Sequence, residues 1–96
     1  MKLVYSRRAL ADLAGIATYY STNASLAIAQ SIERRFVDVT ARVRRAPRSA
    51  PRVEQRSEVR VVSVIRYPFR IFYRVRHDAV EILHIRHTSR RPNIPR

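Results

Sequence analysis

The side chains best suited to chemistry in this chain are two arginines and an aromatic ring that alternate with apolar residues near position 70. Strand periodicity would place Arg70, Phe72 and Arg74 on one face. Guanidinium groups bind phosphates and carboxylates, and a ring between them can stack a nucleobase or anchor a partner protein. The pattern therefore predicts a contact face. The alternative is a solvated strand face whose arginines pair with Glu58 or Glu81.

A second group of candidate residues lies near the end of the chain, where Arg86, His87, Arg90 and Arg91 follow one another closely. An imidazole titrates near neutral pH and can act as an acid or a base. Arg86 and His87 are therefore candidates for a contact or catalytic pair. The alternative is an ordinary arginine-rich strand end.

Two further histidines are expected to have structural roles. His84 lies in alternating register with Val80 and Ile82, which predicts a half-buried, hydrogen-bonded side chain. His77 precedes Asp78 in a turn signal.

Composition excludes several other classes of protein. The 20 Lys and Arg residues against 7 Asp and Glu give a net charge of +13, and every basic residue except Lys2 is an arginine. A surface so basic is expected to face a polyanion or an acidic protein. Cysteine is absent and Gly15 is the only glycine, so thiolate metal sites and a glycine-rich phosphate loop are excluded, and no metal or cofactor is expected. Without an apolar leader or a membrane-length apolar run, we expect a cytoplasmic protein.

The first half of the chain predicts a short strand over 2–5 and then two helices. Ser6 is a good N-cap, and Leu10, Leu13, Ala17 and Tyr20 form an apolar stripe on a helix over about 7–21. Asn23 or Ser25 can cap the second helix, which Pro47 ends. The second stripe is the most regular in the chain and comprises Ala29, Ile32, Phe36, Val39 and Val43. The short link predicts an antiparallel hairpin.

In the second half of the chain, the hydrophobic pattern changes to a period of two residues, which is typical of β-strands. A polar loop over 47–57 precedes strands over 59–65, 69–76 and 80–86, separated by Tyr67-Pro68 and a turn at 77–78. The fold class is therefore α+β: an N-terminal strand, a helical hairpin, and a three-stranded antiparallel meander covered on one face by the helices. We expect one domain over 1–96, with 89–96 as a flexible tail.

The chain resembles the RelE/ParE superfamily of bacterial toxins from type II toxin–antitoxin modules. Three stretches carry the resemblance, namely Tyr5 to Leu13, Tyr67 to Val75 and Val80 to His87. They are similar to the strand-to-helix opening, the central strand and the last strand of the family. The resemblance implies the family's two-layer fold and one of two targets. ParE-type toxins act on DNA gyrase, whereas RelE-type toxins cut messenger RNA on the ribosome.

The resemblance implies different site residues for the two targets. Arg70 aligns with an arginine that RelE-type nucleases use on the phosphate, so a RelE-like protein would use Arg70, Arg86 and His87 as catalytic residues. The rest of the RelE pattern is incomplete, because only Arg60 is cationic in the strand at 59–64 and no tyrosine follows Tyr73. The start of the 69–76 strand and the end of the chain look more ParE-like. We therefore favour a gyrase-directed toxin, which would not be an enzyme, over the endoribonuclease.

The resemblance also implies a cognate acidic antitoxin, bound in a hetero-oligomer. The opposite helix faces, which carry Arg34, Arg35, Arg42, Arg44 and Arg45, are candidates to meet its carboxylates. Contacts with the target, nucleic acid or antitoxin are expected at Arg60, Arg70, Phe72, Arg74, Arg90 and Arg91. A non-toxic nucleic-acid-binding domain is the third hypothesis.

Overall fold

The structure is a computed structural model that describes residues 1–88 of the chain. Within those residues, no helix is long and apolar enough to cross a membrane. The expected tail at 89–96, with Arg90 and Arg91, lies outside the described residues.

One sheet and two helices make up the described chain. In order, the elements are β1 (Lys2–Tyr5), α1 (Arg7–Asn23), α2 (Leu26–Arg45), β2 (Arg52–Val53), β3 (Arg56–Val64), β4 (Phe69–Arg76) and β5 (Ala79–His87). The strand order is β1-β5-β4-β3-β2. The antiparallel meander β3-β4-β5 is confirmed. The sheet is nevertheless mixed, because β1 pairs in parallel with β5, and the predicted polar loop contains the two-residue strand β2.

Serine side chains begin both helices as predicted. The Ser6 hydroxyl accepts from the backbone N–H of Ala9 at 2.9 Å, and Ser25, rather than Asn23, accepts from that of Ile28 at 3.1 Å. Each bond satisfies one of the donors that a helix N-terminus leaves unpaired. The helix pair packs on one face of the sheet, which we call the helix face.

The core lies between the helices and the sheet. The predicted stripe of α2 is confirmed, since Ile32, Phe36, Val39 and Val43 are buried. Three alternate residues of β4 meet it from the sheet, namely Phe69, Ile71 and Tyr73.

The predicted stripe of α1 is confirmed at Leu13 and Tyr20 and is wrong at Leu10 and Ala17, which are exposed because the helix is rotated slightly. Ala9 is fully buried and Leu13, Ile16 and Tyr20 pack against the core, whereas Leu10 is 54% exposed. Helix α1 approaches β5 closely, as a hydrogen bond from β5 to Asp12 of the helix and another from its N-cap residue Ser6 to β5 demonstrate. A small side chain at position 9 fits such a contact better than a leucine.

Candidate functional site

A bulge in β5 decides which side chains share the outer face of the sheet. Phe72 pairs with His84 but Tyr73 pairs with Ile82, so one extra residue, Leu83, enters β5 at this point. An extra residue reverses the alternation of the strand beyond it. His84 therefore lies on the face opposite Ile82, and the expectation that it shares the face of Val80 and Ile82 was wrong.

The bulge is held by two side chains from the start of the chain. The Ser6 hydroxyl donates to the carbonyl oxygen of Leu83 at 2.6 Å, and the carboxylate of Asp12 accepts from the backbone N–H of Ile85 at 2.9 Å. These bonds satisfy backbone groups around the bulge that are partly shielded from water. Ser6 and Asp12 thus position the last strand relative to β4, a role that the sequence analysis missed.

We call the sheet face away from the helices the open face, defined by Arg70, Phe72, Arg74, His84 and Arg86. Arg70 and Arg86 are direct cross-strand partners on it, and both are exposed. Two like charges directly opposite each other repel and destabilise the folded chain. Such a pair is suited to binding one anionic group between two guanidiniums.

An aromatic stack lies beside the two arginines. The rings of Phe72 and His84 are parallel within 9°, with centroids 4.4 Å apart, and the guanidinium carbon of Arg86 lies 6.0 Å from the Phe72 centroid. One face of the Phe72 ring is thus covered by the imidazole. The predicted contact of Phe72 with a nucleobase or a partner protein stays a prediction. Such a contact is limited to the part of the ring that His84 leaves uncovered.

His84 is half-buried as predicted, but its Nδ1 is buried without a hydrogen-bond partner in the described chain. Burial lowers the pKa of the imidazole, the nearby guanidinium of Arg8 lowers it further, and the carboxylate of Asp12 opposes the change. The ring is therefore held in its neutral form at neutral pH. A neutral imidazole stacks on Phe72 without bringing another positive charge next to Arg86.

The three residues proposed for RNA cleavage do not meet on one face. His87 pairs with Phe69, and their rings contact edge to face at 5.3 Å. It also lines a small cavity with Asp12 and Tyr20 on the helix face. Arg70 and Arg86 lie on the open face, so His87 is separated from them by the sheet.

Arg74 forms a cross-strand ion pair, which was the structural alternative to a contact with a partner. Its Nε lies 2.7 Å from Oε1 of Glu81 on the neighbouring strand, and both side chains are about three-quarters buried, with 25% and 28% exposed. Glu81, and not Glu58, is therefore its partner. With its guanidinium already bound, Arg74 is a weaker contact candidate than Arg70.

Arg60 lies across from Tyr73, so it belongs to the helix face. Its Nη1 donates to the carbonyl oxygens of Arg48 and Ala50, at 3.0 and 2.7 Å. The Tyr73 hydroxyl donates to the carbonyl of Pro47 at 2.7 Å, and burial raises the pKa of this phenol. Arg60 thus has a structural role in holding the loop after α2, and its predicted contact with a partner stays a prediction.

A groove lies between the two helices. We call it the apolar groove; it has a volume of about 520 Å³ and reaches down to Ile71 and Ile82 of the sheet. Leu26 and Val37 line it and are 65% and 60% exposed. Exposed apolar side chains around a concave surface are typical of a protein-binding site.

Within residues 1–88, no group of three or more acidic or histidine side chains is arranged to hold a metal ion.

Comparisons with known proteins agree with this architecture. The family model described as the ParE toxin of the type II toxin–antitoxin system parDE matches residues 3–92. The chain therefore belongs to the ParE toxin family and is a ParE-type toxin of a type II toxin–antitoxin system. No curated protein sequence matches it.

Solved structures of the same superfamily share the fold. A solved structure of the chromosomal ParDE toxin–antitoxin system from P. aeruginosa matches with a TM-score of 0.82 and 26% identity, over 93% of this chain and 97% of that one. The isolated E. coli RelE toxin gives a TM-score of 0.60 at 15% identity, over 95% and 87%. The E. coli RelBE complex gives 0.60 and 15%, over 93% and 98%. At that identity, the two RelE structures indicate the fold alone.

Proposed function

We propose that this ParE-type toxin arrests growth by binding and inhibiting DNA gyrase, without cutting RNA. The observation that carries the proposal is the match of the ParE family model over residues 3–92. The position of His87 supports it, because a general acid or base must reach the reacting group and His87 lies across the sheet from Arg70 and Arg86.

A ribosome-dependent endoribonuclease is the second candidate. The observation that favours it is that His84, which the bulge turns outward, shares the open face with Arg70 and Arg86. A neutral imidazole can act as a base, and two guanidiniums can stabilise a phosphate transition state. The stacking of His84 on Phe72 and the buried position of its Nδ1 reduce its access to a substrate.

Neutralisation by a cognate antitoxin is the second part of the proposal. The matching P. aeruginosa structure is of a ParDE system, which supports an antitoxin partner here. We assign the apolar groove to an amphipathic segment of that antitoxin, since Leu26 and Val37 offer exposed apolar surface. The net charge of +13 favours an acidic partner.

Expression of the toxin without its antitoxin shows whether DNA synthesis or protein synthesis is the process that it stops. Cells are pulse-labelled with thymidine and methionine after induction. Inhibition of gyrase predicts that DNA synthesis stops first while protein synthesis continues. Immediate loss of methionine incorporation, with messenger RNA cut in the ribosomal A site, would contradict gyrase as the target and support the second candidate.

A pair of substitutions tests the antitoxin site. Val37→Asp places a charge in the apolar groove and should weaken co-purification with the antitoxin at least tenfold. Ile65→Asp is the matched control, because Ile65 is 56% exposed and does not line the groove. Equal retention of the antitoxin by both variants would place its binding site elsewhere.

A further inference from the structure

A second groove lies on the other side of α2 from the apolar groove. We call it the basic groove; it has a volume of about 780 Å³ and lies between α2, the loop over 46–51 and β3. Arg42 and Arg45 of α2 line it together with Arg70 of β4, and no Asp or Glu does. Arg70 also belongs to the open face, so the groove continues the basic surface around the edge of the sheet.

The arginines of the basic groove form no ion pair within the described chain, although Asp38 lies one helical turn before Arg42 and lines a neighbouring cavity with Arg42 and Arg45. Among residues 1–88, the single ion pair is Arg74–Glu81. Arg42 and Arg45 lie one helical turn apart, and like charges at this spacing destabilise a helix, although the negative end of the α2 dipole offsets part of the repulsion. Such clustering is suited to an external anion that neutralises several charges together.

The wall of the basic groove opposite α2 is held in place before any ligand binds. The carbonyl of Pro51 accepts from the backbone N–H of Val61 at 3.0 Å. Arg60 and Tyr73 fix the same loop through the carbonyls of Arg48, Ala50 and Pro47. A fixed wall reduces the entropy lost when a ligand is bound.

The edge of β3 adds backbone N–H donors to the wall of the basic groove opposite α2. Strand β2 pairs with β3 only at Arg56 and Arg60. Because Val61 points its N–H toward Pro51, the alternation of the strand points the N–H of Ser63 to the same side, past the end of β2. Ser63 lines the basic groove. Backbone N–H groups and arginines are the usual partners of nucleic-acid phosphates.

We propose that the basic groove binds the phosphodiester backbone of duplex DNA. A protein partner usually inserts apolar anchors into its site. Among the described residues, none of the large apolar side chains that are exposed lines the basic groove, whereas Leu26 and Val37 line the apolar groove. The two grooves lie on opposite sides of α2, so an antitoxin in the first leaves the second open to DNA.

Salt-dependent binding to DNA tests this proposal. Fluorescence anisotropy with a 24-base-pair duplex of arbitrary sequence is measured between 50 and 200 mM KCl, with no gyrase present. Release of counterions from three phosphates predicts that the affinity of the toxin falls by about 40-fold over this range. The double substitution Arg42→Gln/Arg45→Gln should reduce the salt slope by about 2, since each lost phosphate contact removes about 0.9.

The matched control carries the same loss of charge outside the groove. Arg34→Gln/Arg76→Gln removes two exposed arginines that do not line it and should leave the slope nearly unchanged. Equal slopes for the two double variants would overturn the proposal. So would tighter binding of the wild-type toxin to polyglutamate than to DNA through Arg42 and Arg45, since the groove would then serve an acidic protein. The assay omits gyrase, so either result leaves the proposed inhibition of gyrase to be judged separately.

Discussion

The carboxylate of Asp12 on α1 accepts a hydrogen bond from the backbone N–H of Ile85 on β5, at 2.9 Å and 73 residues away in sequence. This bond follows immediately on the bulge at Leu83, and the hydroxyl of Ser6 holds the bulge itself. The register of β5 beyond the bulge places Arg86 beside Arg70 and His87 on the opposite face. The composition of the open face therefore depends on a contact between the first helix and the last strand.

Asp12→Ala should destabilise the protein by about 1–3 kcal/mol, because it leaves a partly buried backbone N–H without an acceptor. Asp12→Asn retains an acceptor and should lose less. Urea unfolding gives the free energies, and Asp38→Ala, at an exposed position of α2, is the matched control with an expected change below about 0.5 kcal/mol. Identical unfolding midpoints for Asp12→Ala and Asp38→Ala would show that the bond contributes nothing.

The stability of the toxin should fall as the pH drops below about 6.5, the ordinary pKa of histidine. The folded-state pKa of His84 is lowered, so in this range the unfolded chain binds more protons than the folded one. The contribution of the neutral His84 side chain to the free energy of unfolding is therefore fully present above pH 6.5. It is lost as the pH falls toward the folded-state pKa of His84. Urea midpoints between pH 8 and pH 5 measure the effect.

Two histidine variants separate the contribution of His84 from that of other groups. His84→Gln should flatten the decline in stability, whereas His77→Gln, at the exposed turn between β4 and β5, should retain it. An unaltered decline in His84→Gln would contradict the neutral, stacked imidazole.

The arginines of the open face should contribute unequally to toxicity. Arg70→Gln and Arg86→Gln each remove an exposed guanidinium that is available to a partner, so each should weaken inhibition of the target by about 10- to 100-fold. Arg74→Gln removes a guanidinium already paired with Glu81 and should change inhibition less than threefold. The concentration needed for half-maximal inhibition of supercoiling measures all three. A loss for Arg74→Gln as large as that for Arg70→Gln would contradict this ranking.

Much of the fold could be predicted because the signals that decide it are local. The stripe of α2, the serine caps and the alternation of β4 each depend on residues a few positions apart, and the structure confirms them. The partner of Arg74 was one of two alternatives that the strand pattern already provided.

The faces of β5 and α1 could not be predicted in the same way. A bulge adds one residue with no strong local signal and reverses every side chain after it. The groups that stabilise this bulge, Ser6 and Asp12, lie more than 70 residues before it. Likewise, Ala9 is buried in place of Leu10 because α1 lies close to β5. The spacing of apolar residues along a helix does not predict how close that helix lies to a strand.

Whether the toxin inhibits gyrase is measured most directly with purified gyrase and purified toxin. The toxin, released from its antitoxin and refolded, is titrated into a supercoiling reaction with relaxed plasmid. We expect a loss of supercoiling that Arg70→Gln weakens, His87→Gln leaves unchanged and added antitoxin reverses. Full supercoiling in micromolar toxin, together with cleavage of ribosome-bound messenger RNA by the same preparation, would contradict gyrase as the target.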